Sequence, residues 1–245
     1  MLRFFVVIFC HLITASVFLI KLTHYVKIKD QLDENFKYGY CRHVVMQITK
    51  LSRVKVVTKG EENLPKDQGY VMYPNHQSKF DALAIINAHS NPLSIVIKDE
   101  RSHAPMLNQL IELTNSKRLN MNKPRESVNT FVQIGKEIQN GSRYLIFPEG
   151  EWRGKEVDEI KNFNTGCMSF LNDSKCPIVP ISLVDTYKVY GKNSLKKVTC
   201  YVNFLEPITY EQYKDLTRKE IAFLVKQRII NDIQSNYNID IKDIT

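Results

Sequence analysis

The stretch YPNHQSKFDALAI, residues 73–85, joins two kinds of apolar pattern. Before and into it, GYVMY is a short apolar run of strand length; within and after it, residues 82–89 carry helical spacing. Pro74 keeps Tyr73 extended. Ser78 is a good N-cap residue, and Asp81 follows three positions later. His76 therefore falls in a strand-to-helix loop at the carboxyl end of a strand, where open α/β sheets place their ligands. On a regular helix, residues five apart lie about 140° around the axis. His76 and Asp81 can meet only if His76 precedes the helix and folds back.

Outward from this stretch, strands and helices alternate. VKVVT (54–58), LSIVIK (93–98), RYLIF (143–147), PIVPISLV (177–184) and KKVTCYVNFLEPI (196–208) have strand character. Residues 105–113 and ESVNTFVQIGKEIQNG (126–141) have helical spacing, with Gly141 as a stop signal. TRKE (217–220) has the form of a capping box, opening a helix with Ile221, Leu224, Val225, Ile229 and Ile233 on one face. This alternation predicts an α/β fold: a mostly parallel or mixed central sheet covered by helices. Residues 54–245 show no repeat or linker that would divide them and are expected to form one domain; the whole chain, at 43% apolar, has an ordinary globular composition.

The preceding residues differ. FFVVIFCHLITASVFLI (4–20) is apolar apart from His11, Thr14 and Ser16. It is slightly short for a ~30 Å hydrocarbon core unless Met1 and Leu2 are added or it lies partly in the interface. A cleaved signal peptide is the alternative, but no small-x-small site follows; the next residues are KLTHYVKIKD. The expectation is an N-terminal hydrophobic anchor helix in a cell membrane. Lys21, Lys27 and Lys29 after it outweigh Arg3 and the α-amine before it, placing the rest of the chain on the cytoplasmic side. ENFKYGYCRHVVMQITKLSR (34–53) has helical apolar spacing with interspersed basic residues; it either lies on a membrane surface or packs on the domain. Residues 1–53 are grouped as anchor and amphipathic helix.

The 34 basic and 26 acidic residues leave a formal charge of +8. That balance points to an anionic partner: a phosphate-bearing substrate, an anionic membrane surface or nucleic acid. No nucleic-acid-binding motif is present, and the hydrophobic segment argues against that class. The five cysteines form no CxxC pair and read as reduced thiols.

A carboxylate on one imidazole nitrogen fixes the tautomer and stabilises the imidazolium formed when the other nitrogen takes a hydroxyl proton. His76 and Asp81 are suited to this, and the hydroxyl can belong to a substrate. The plainer reading is that Ser78 and Asp81 cap a helix and His76 is incidental. As metal ligands the two are too few, and no other cluster has convincing spacing.

The block NHQSKFD, followed by FPEG (147–150) and PIVPI (177–181), resembles the glycerophospholipid acyltransferase family, most of all its bacterial 1-acyl-sn-glycerol-3-phosphate acyltransferases. The likeness runs from about residue 62 to 207. It implies that His76 is the general base and Asp81 orients it. Asn75, Glu149 and Gly150 then help to shape the site and bind the acceptor phosphate. It implies acyl-CoA or acyl-carrier protein as donor, lysophosphatidate as acceptor, an anionic membrane surface as setting, and neither cofactor nor metal. A backbone N–H near residues 75–77, or the helix N-terminus, is expected to stabilise the oxyanion.

Two departures stand out. The family's usual second-block arginine is missing: RLNMNKPRES places Asn120, Met121 or Asn122 there. The third block continues FPEGEWRGK, so Glu151 and Trp152 intervene before Arg153. Arg153, Arg125, Lys98 and Arg118 are the cations left to hold a phosphate. These departures keep a competing function open, a membrane-associated lipid-binding protein without catalysis; intact His76 and Asp81 argue against it. His89 and His103 are expected to be ordinary helix-end and loop histidines, and Trp152 a packing residue.

Overall fold

The computed structural model describes residues 12–120, 122–150, 159–191, 195–239 and 242–243. Helices α1 (Leu12–Lys27) and α2 (Glu34–Leu51) lead into strand β1 (Val54–Lys59). Then come β2 (Tyr70–Pro74), α3 (Asp81–Ala88), β3 (Ser94–Lys98), α4 (Leu107–Leu113), β4 (Lys117–Leu119), α5 (Pro124–Gln139) and β5 (Arg143–Leu145). The second half holds β6 (Glu159–Ile160), α6 (Leu171–Ser174), β7 (Ile178–Val184), α7 (Lys188–Gly191), β8 (Val198–Phe204), α8 (Tyr210–Tyr213), α9 (Arg218–Tyr237) and β9 (Lys242–Asp243).

Seven strands form one sheet in the order β1-β8-β7-β2-β5-β3-β4. Strands β7, β2, β5, β3 and β4 are parallel. Strand β8 opposes β7, and β1 runs alongside β8. The α/β expectation therefore holds, with two reversed strands at one side. The carboxyl ends of the five parallel strands share an edge, and β2 is the central strand of the seven.

Strand β2 is buried on both faces, which is why its sequence is continuously apolar. Tyr70 and Met72 join a layer with Tyr38 and Val45 of α2, Ala84 and Ile85 of α3, and Val179, Ile181 and Leu183 of β7. Val71 and Tyr73 face the other way, against Phe131, Ile134 and Ile138 of α5 and Ile221, Val225, Ile229 and Ile233 of α9. Each fully buried Ile or Leu contributes roughly 1.5–3 kcal/mol. Gly69, just before β2, is required by close backbone approach: a Cβ there would lie 2.1 Å from the Ile138 carbonyl oxygen and 2.4 Å from that of Ser142. Thr217 caps α9 in a capping box with Glu220.

Helix α2 packs on the domain: Tyr38, Cys41, Val44, Val45 and Thr49 are buried. Helix α1 departs from the expected spanning anchor. Among the described residues no helix is long and apolar enough to cross a membrane. Residues 4–11 of the hydrophobic run lie outside the described ones. From Phe18 onward, α1 is engaged by protein: Leu22 is fully buried, and Phe18, Tyr25 and Val26 pack with Cys41, Val44 and Leu113. Leu12, Ile13, Val17 and Ile20 remain exposed.

Cys41, Cys167, Cys176 and Cys200 are free and buried, and Cys10 lies outside the described residues. Burial pushes the Cys167 thiol up to about 12, so this cysteine is packing rather than chemistry.

Candidate active site

Strand β2 ends at Pro74, and the loop of residues 75–80 crosses the carboxyl edge before α3 begins at Asp81. The loop folds back as expected. His76 Nδ1 lies 2.8 Å from Asp81 Oδ2. Because an ionised carboxylate only accepts, Nδ1 carries the proton, leaving Nε2 as the basic nitrogen. The imidazole is 15% exposed, whereas the Asp81 carboxylate is fully buried. Phe147 lies against the imidazole, ring centroids 4.3 Å apart.

Asp81 also organises the loop backbone. Its Oδ2 accepts the N–H groups of Gln77 (2.6 Å) and Ser78 (2.9 Å), and its Oδ1 accepts the Ser78 hydroxyl (2.9 Å). Ser78 is not the N-cap; Phe80 holds that position without a side-chain cap bond. The Ser78 hydroxyl instead accepts the Phe80 N–H, and its single proton is shared between Asp81 Oδ1 (2.9 Å) and the Thr186 carbonyl (3.1 Å).

Glu149 holds the same loop from the other side. Its Oε1 accepts the His76 N–H at 2.7 Å, and its Oε2 accepts the Lys161 N–H at 3.2 Å. Burial pushes its carboxyl up to about 7, although both amides and the charges of His76 and Lys161 favour the ionised form. Glu149 reaches the edge because β5 runs parallel to β2 and delivers residues 146–150 beside the loop. Gly150 closes the following turn at φ +72°, with its N–H on the Phe147 carbonyl.

These bonds narrow the choice of donors for the oxyanion. The N–H groups of His76, Gln77 and Ser78 are already taken by Glu149 and Asp81. Those of Phe80 and Asp81 go to Ser78. Asn75 is buried and turned to β7, where its carboxamide bonds both the N–H (2.7 Å) and the carbonyl (3.0 Å) of Leu183. Gln77 accepts the Thr186 N–H and hydroxyl, and its Nε2 is buried without a hydrogen bond. Thr186, Leu183 and Lys161 carry no motif of their own; the first two stand out only by their place just after PIVPI (177–181).

The cations divide. Arg118 is committed to structure: it bonds Glu112 at 2.8 Å, Asn108 at 2.9 Å and Ser102 at 3.0 Å. Lys98 ends β3, two strands from β2 or roughly 10 Å at ordinary strand spacing. Arg125 is exposed on the first turn of α5, which follows β4 at the same edge. Arg153, Glu151 and Trp152 lie outside the described residues. His89 is structural: its Nδ1 donates to the Asn91 carbonyl and its Nε2 accepts the Tyr70 hydroxyl. His103 sits on the surface, 3.1 Å from Asp99. Among the described residues no group of three or more His, Cys, Asp or Glu is placed to hold a metal ion.

A dyad whose second imidazole nitrogen has no hydrogen-bond partner among the described residues, fixed from both sides at a sheet edge, can take a proton from a hydroxyl. Comparison with known proteins gives the family and the fold. The acyltransferase family model matches residues 55–184. The chain is 26% identical over 214 residues to 1-acyl-sn-glycerol-3-phosphate acyltransferase of Saccharomyces cerevisiae, covering 84% of this chain and 68% of that one. It is 21% identical over 187 residues to the Borreliella burgdorferi protein of the same name, covering 76% and 74%. The crystal structure of the 1-acyl-sn-glycerophosphate acyltransferase of Thermotoga maritima shares the fold, with a TM-score of 0.71 at 20% identity over 96% of this chain and 97% of that one.

Proposed function

Because this chain belongs to the acyltransferase family, we propose that it moves a fatty acyl group from a thioester to the free hydroxyl of 1-acylglycerol 3-phosphate, giving phosphatidate. The observation that carries this reading is the His76–Asp81 pair at the carboxyl edge, with no partner for Nε2 among the described residues. A thioester is already activated, so the acceptor hydroxyl is the group that needs help. In this reading His76 Nε2 takes the hydroxyl proton as the oxygen attacks the thioester carbonyl carbon. The C–O bond forms, the C–S bond breaks, and the departing thiolate takes the proton back from the imidazolium. Asp81 holds the imidazole and supports its positive charge. Glu149 and Asn75 act through the backbone, one on the His76 amide and the other on β7.

The acceptor's phosphate needs compensating donors when it leaves water. Arg153, Arg125 and Lys98 are assigned to it, since Arg118 is committed elsewhere. The donor is acyl-CoA or acyl-carrier protein. The enzyme works at an anionic membrane surface on the cytoplasmic side, held through its N-terminal segment, and the exposed apolar face of α1 supports that setting. The test is an assay of the purified protein with labelled acyl donors against a panel of glycerol-phosphate acceptors, with His76→Ala as control. Acylation of lysophosphatidate by the wild type alone is the result this reading requires. Equal turnover by both proteins, or none by either, defeats it.

A further inference from the structure

Between the end of α2 and the start of β1 lies an open cavity of about 480 Å³. Lys50, Arg53 and Lys197 line it above an apolar floor of Met46, Val54 and Val56, and among the described residues no carboxylate lines it. Elsewhere cations are commonly paired: Lys29 with Glu112, Lys117 with Glu137, Lys188 with Asp185. Among the described residues, Lys50, Arg53 and Lys197 form no ion pair, and all three are exposed. Three like charges around one concavity repel one another unless an anion completes it.

Arg53 follows the C-cap Ser52 of α2 and sits at φ +55°. Helix ends of this kind favour glycine, because an L-residue in the left-handed region is strained. Lys175, at φ +53° after α6, shows that this chain also ends helices on other long side chains, so the ligand reading of Arg53 rests on the charge of the cavity.

Position identifies the ligand. Strand β8 opposes β7, so the starts of β8 and β1 lie at the sheet edge where β2 and β7 end, the edge of His76. Helix α1 runs antiparallel to α2: Tyr25 contacts Phe36, and Phe18 contacts His43. Its outward apolar residues, Leu12 to Ile20, therefore point toward the end of α2 that carries Lys50. Apolar helix face, basic cavity and dyad share one end of the molecule. A basic patch beside an exposed apolar face fits a lipid surface bearing negative charge.

We propose that this cavity is a second, non-catalytic lipid site that holds the phosphate of an anionic phospholipid between Lys50, Arg53 and Lys197, with the glycerol and upper acyl carbons on Met46, Val54 and Val56. It rests on the reading that α1 meets a membrane. It sits three strands from β2, roughly 15 Å along the edge, and leaves the dyad free for substrate.

The experiment is vesicle flotation of the full chain, with phosphatidylcholine alone and with phosphatidylcholine mixed with phosphatidylglycerol. Wild type should prefer the anionic vesicles. Lys50→Ala, Arg53→Gly and Lys197→Ala should each reduce that preference about fivefold while leaving binding to neutral vesicles unchanged. Lys219→Ala, exposed on the opposite sheet face, should change it little. Arg53→Gly should also raise Tm by about 2–4 °C as the backbone strain is relieved. Weaker lipid binding in a more stable protein is an outcome no structural role produces. The proposal fails if Lys219→Ala weakens anionic binding as much as the cavity variants, since net charge alone then acts. It fails equally if the cavity variants leave vesicle binding intact and instead raise KM for an acidic acyl-carrier donor. Absence of any vesicle binding by the wild type would instead overturn the membrane reading beneath it.

Discussion

Glu149 grips His76 by its backbone and not by its ring: the carboxylate accepts the His76 N–H at 2.7 Å and the Lys161 N–H at 3.2 Å. Both oxygens face donors, so a proton on either must displace one of them. The carboxyl is raised from 4.5 to about 7 by burial, hence the folded protein holds that proton more tightly than the unfolded chain. Its contribution to stability is greatest below 4.5 and is lost as pH rises through about 7. Activity moves the opposite way, since only the ionised form holds both amides. Wild-type kcat should fall as pH drops through about 7. Glu149→Gln, which cannot accept from both amides, should lose roughly 10- to 100-fold in kcat at pH above that value, with a flatter profile and little change in acceptor KM. A pH–rate profile for both proteins decides it; a Glu149→Gln enzyme with full kcat contradicts this role.

His76→Ala should remove a factor of about 10²–10⁴ from kcat and leave Tm within a few degrees, because the ring belongs to neither core layer and Asp81 keeps its bonds to Gln77 and Ser78. Asp81→Asn should damage both. Its carboxylate receives the imidazole, two backbone N–H groups and the Ser78 hydroxyl, and an amide cannot accept all of them. Thermal melts beside single-substrate kinetics separate the two effects. An Asp81→Asn protein that keeps wild-type Tm would show that Asp81 serves the imidazole alone.

The acceptor's phosphate should distinguish the arginines. Arg125→Ala and Arg153→Ala are each expected to raise acceptor KM about ten- to a hundredfold with little effect on the donor. Arg118→Ala should leave acceptor KM alone and lower stability by about 1–3 kcal/mol, since Glu112, Asn108 and Ser102 lose their donor. Steady-state kinetics with each substrate varied in turn, and urea melts, supply the readouts. A raised acceptor KM in Arg118→Ala with unchanged stability would reverse the assignment.

His89 should make the fold acid-sensitive. Burial lowers it from 6.5 to about 4, so the unfolded chain binds a proton that the folded one refuses. Its contribution to stability is complete above 6.5 and is lost as pH falls toward 4. The gap is worth up to about 3 kcal/mol. Urea unfolding across that range measures the slope, and a histidine NMR titration identifies the residue. A His89 signal that titrates near 6.5 would exclude it as the cause.

Gly69→Ala should destabilise the protein by about 1–3 kcal/mol or more, because the added carbon meets two backbone oxygens and not a movable side chain. Denaturant melts provide the check; a neutral substitution would mean that the turn after α5 can shift.

The dyad was legible because its parts lie five residues apart and the intervening loop is written in local chemistry: Pro74 extends the strand and Asp81 gathers nearby amides. Glu149 was visible as a motif, yet not in its role, because the His76 amide is seventy-three positions away. Arg118 resembled a free cation for the same reason; nothing near it in sequence announces the contacts that Glu112, Asn108 and Ser102 make in three dimensions. The alternation of apolar runs announced a sheet but not the reversal of β8 and β1, since strand direction leaves no mark on a pattern of period two. The hydrophobic run looked like a spanning anchor because hydropathy does not distinguish lipid from protein: Phe18 within it and Leu22 just after it pack on α2 and α4.

The shared end of the molecule also changes how this enzyme must be measured. If α1 rests on lipid and His76 opens on the same side, an acceptor reaches the base by lateral diffusion within a leaflet. Turnover then follows the acceptor's mole fraction in the surface and not its amount per litre. Diluting the acceptor with inert lipid at constant bulk concentration should slow the reaction, whereas adding buffer should not. Catalysis of this kind is two-dimensional, and the patch of membrane beneath each molecule becomes its reaction vessel.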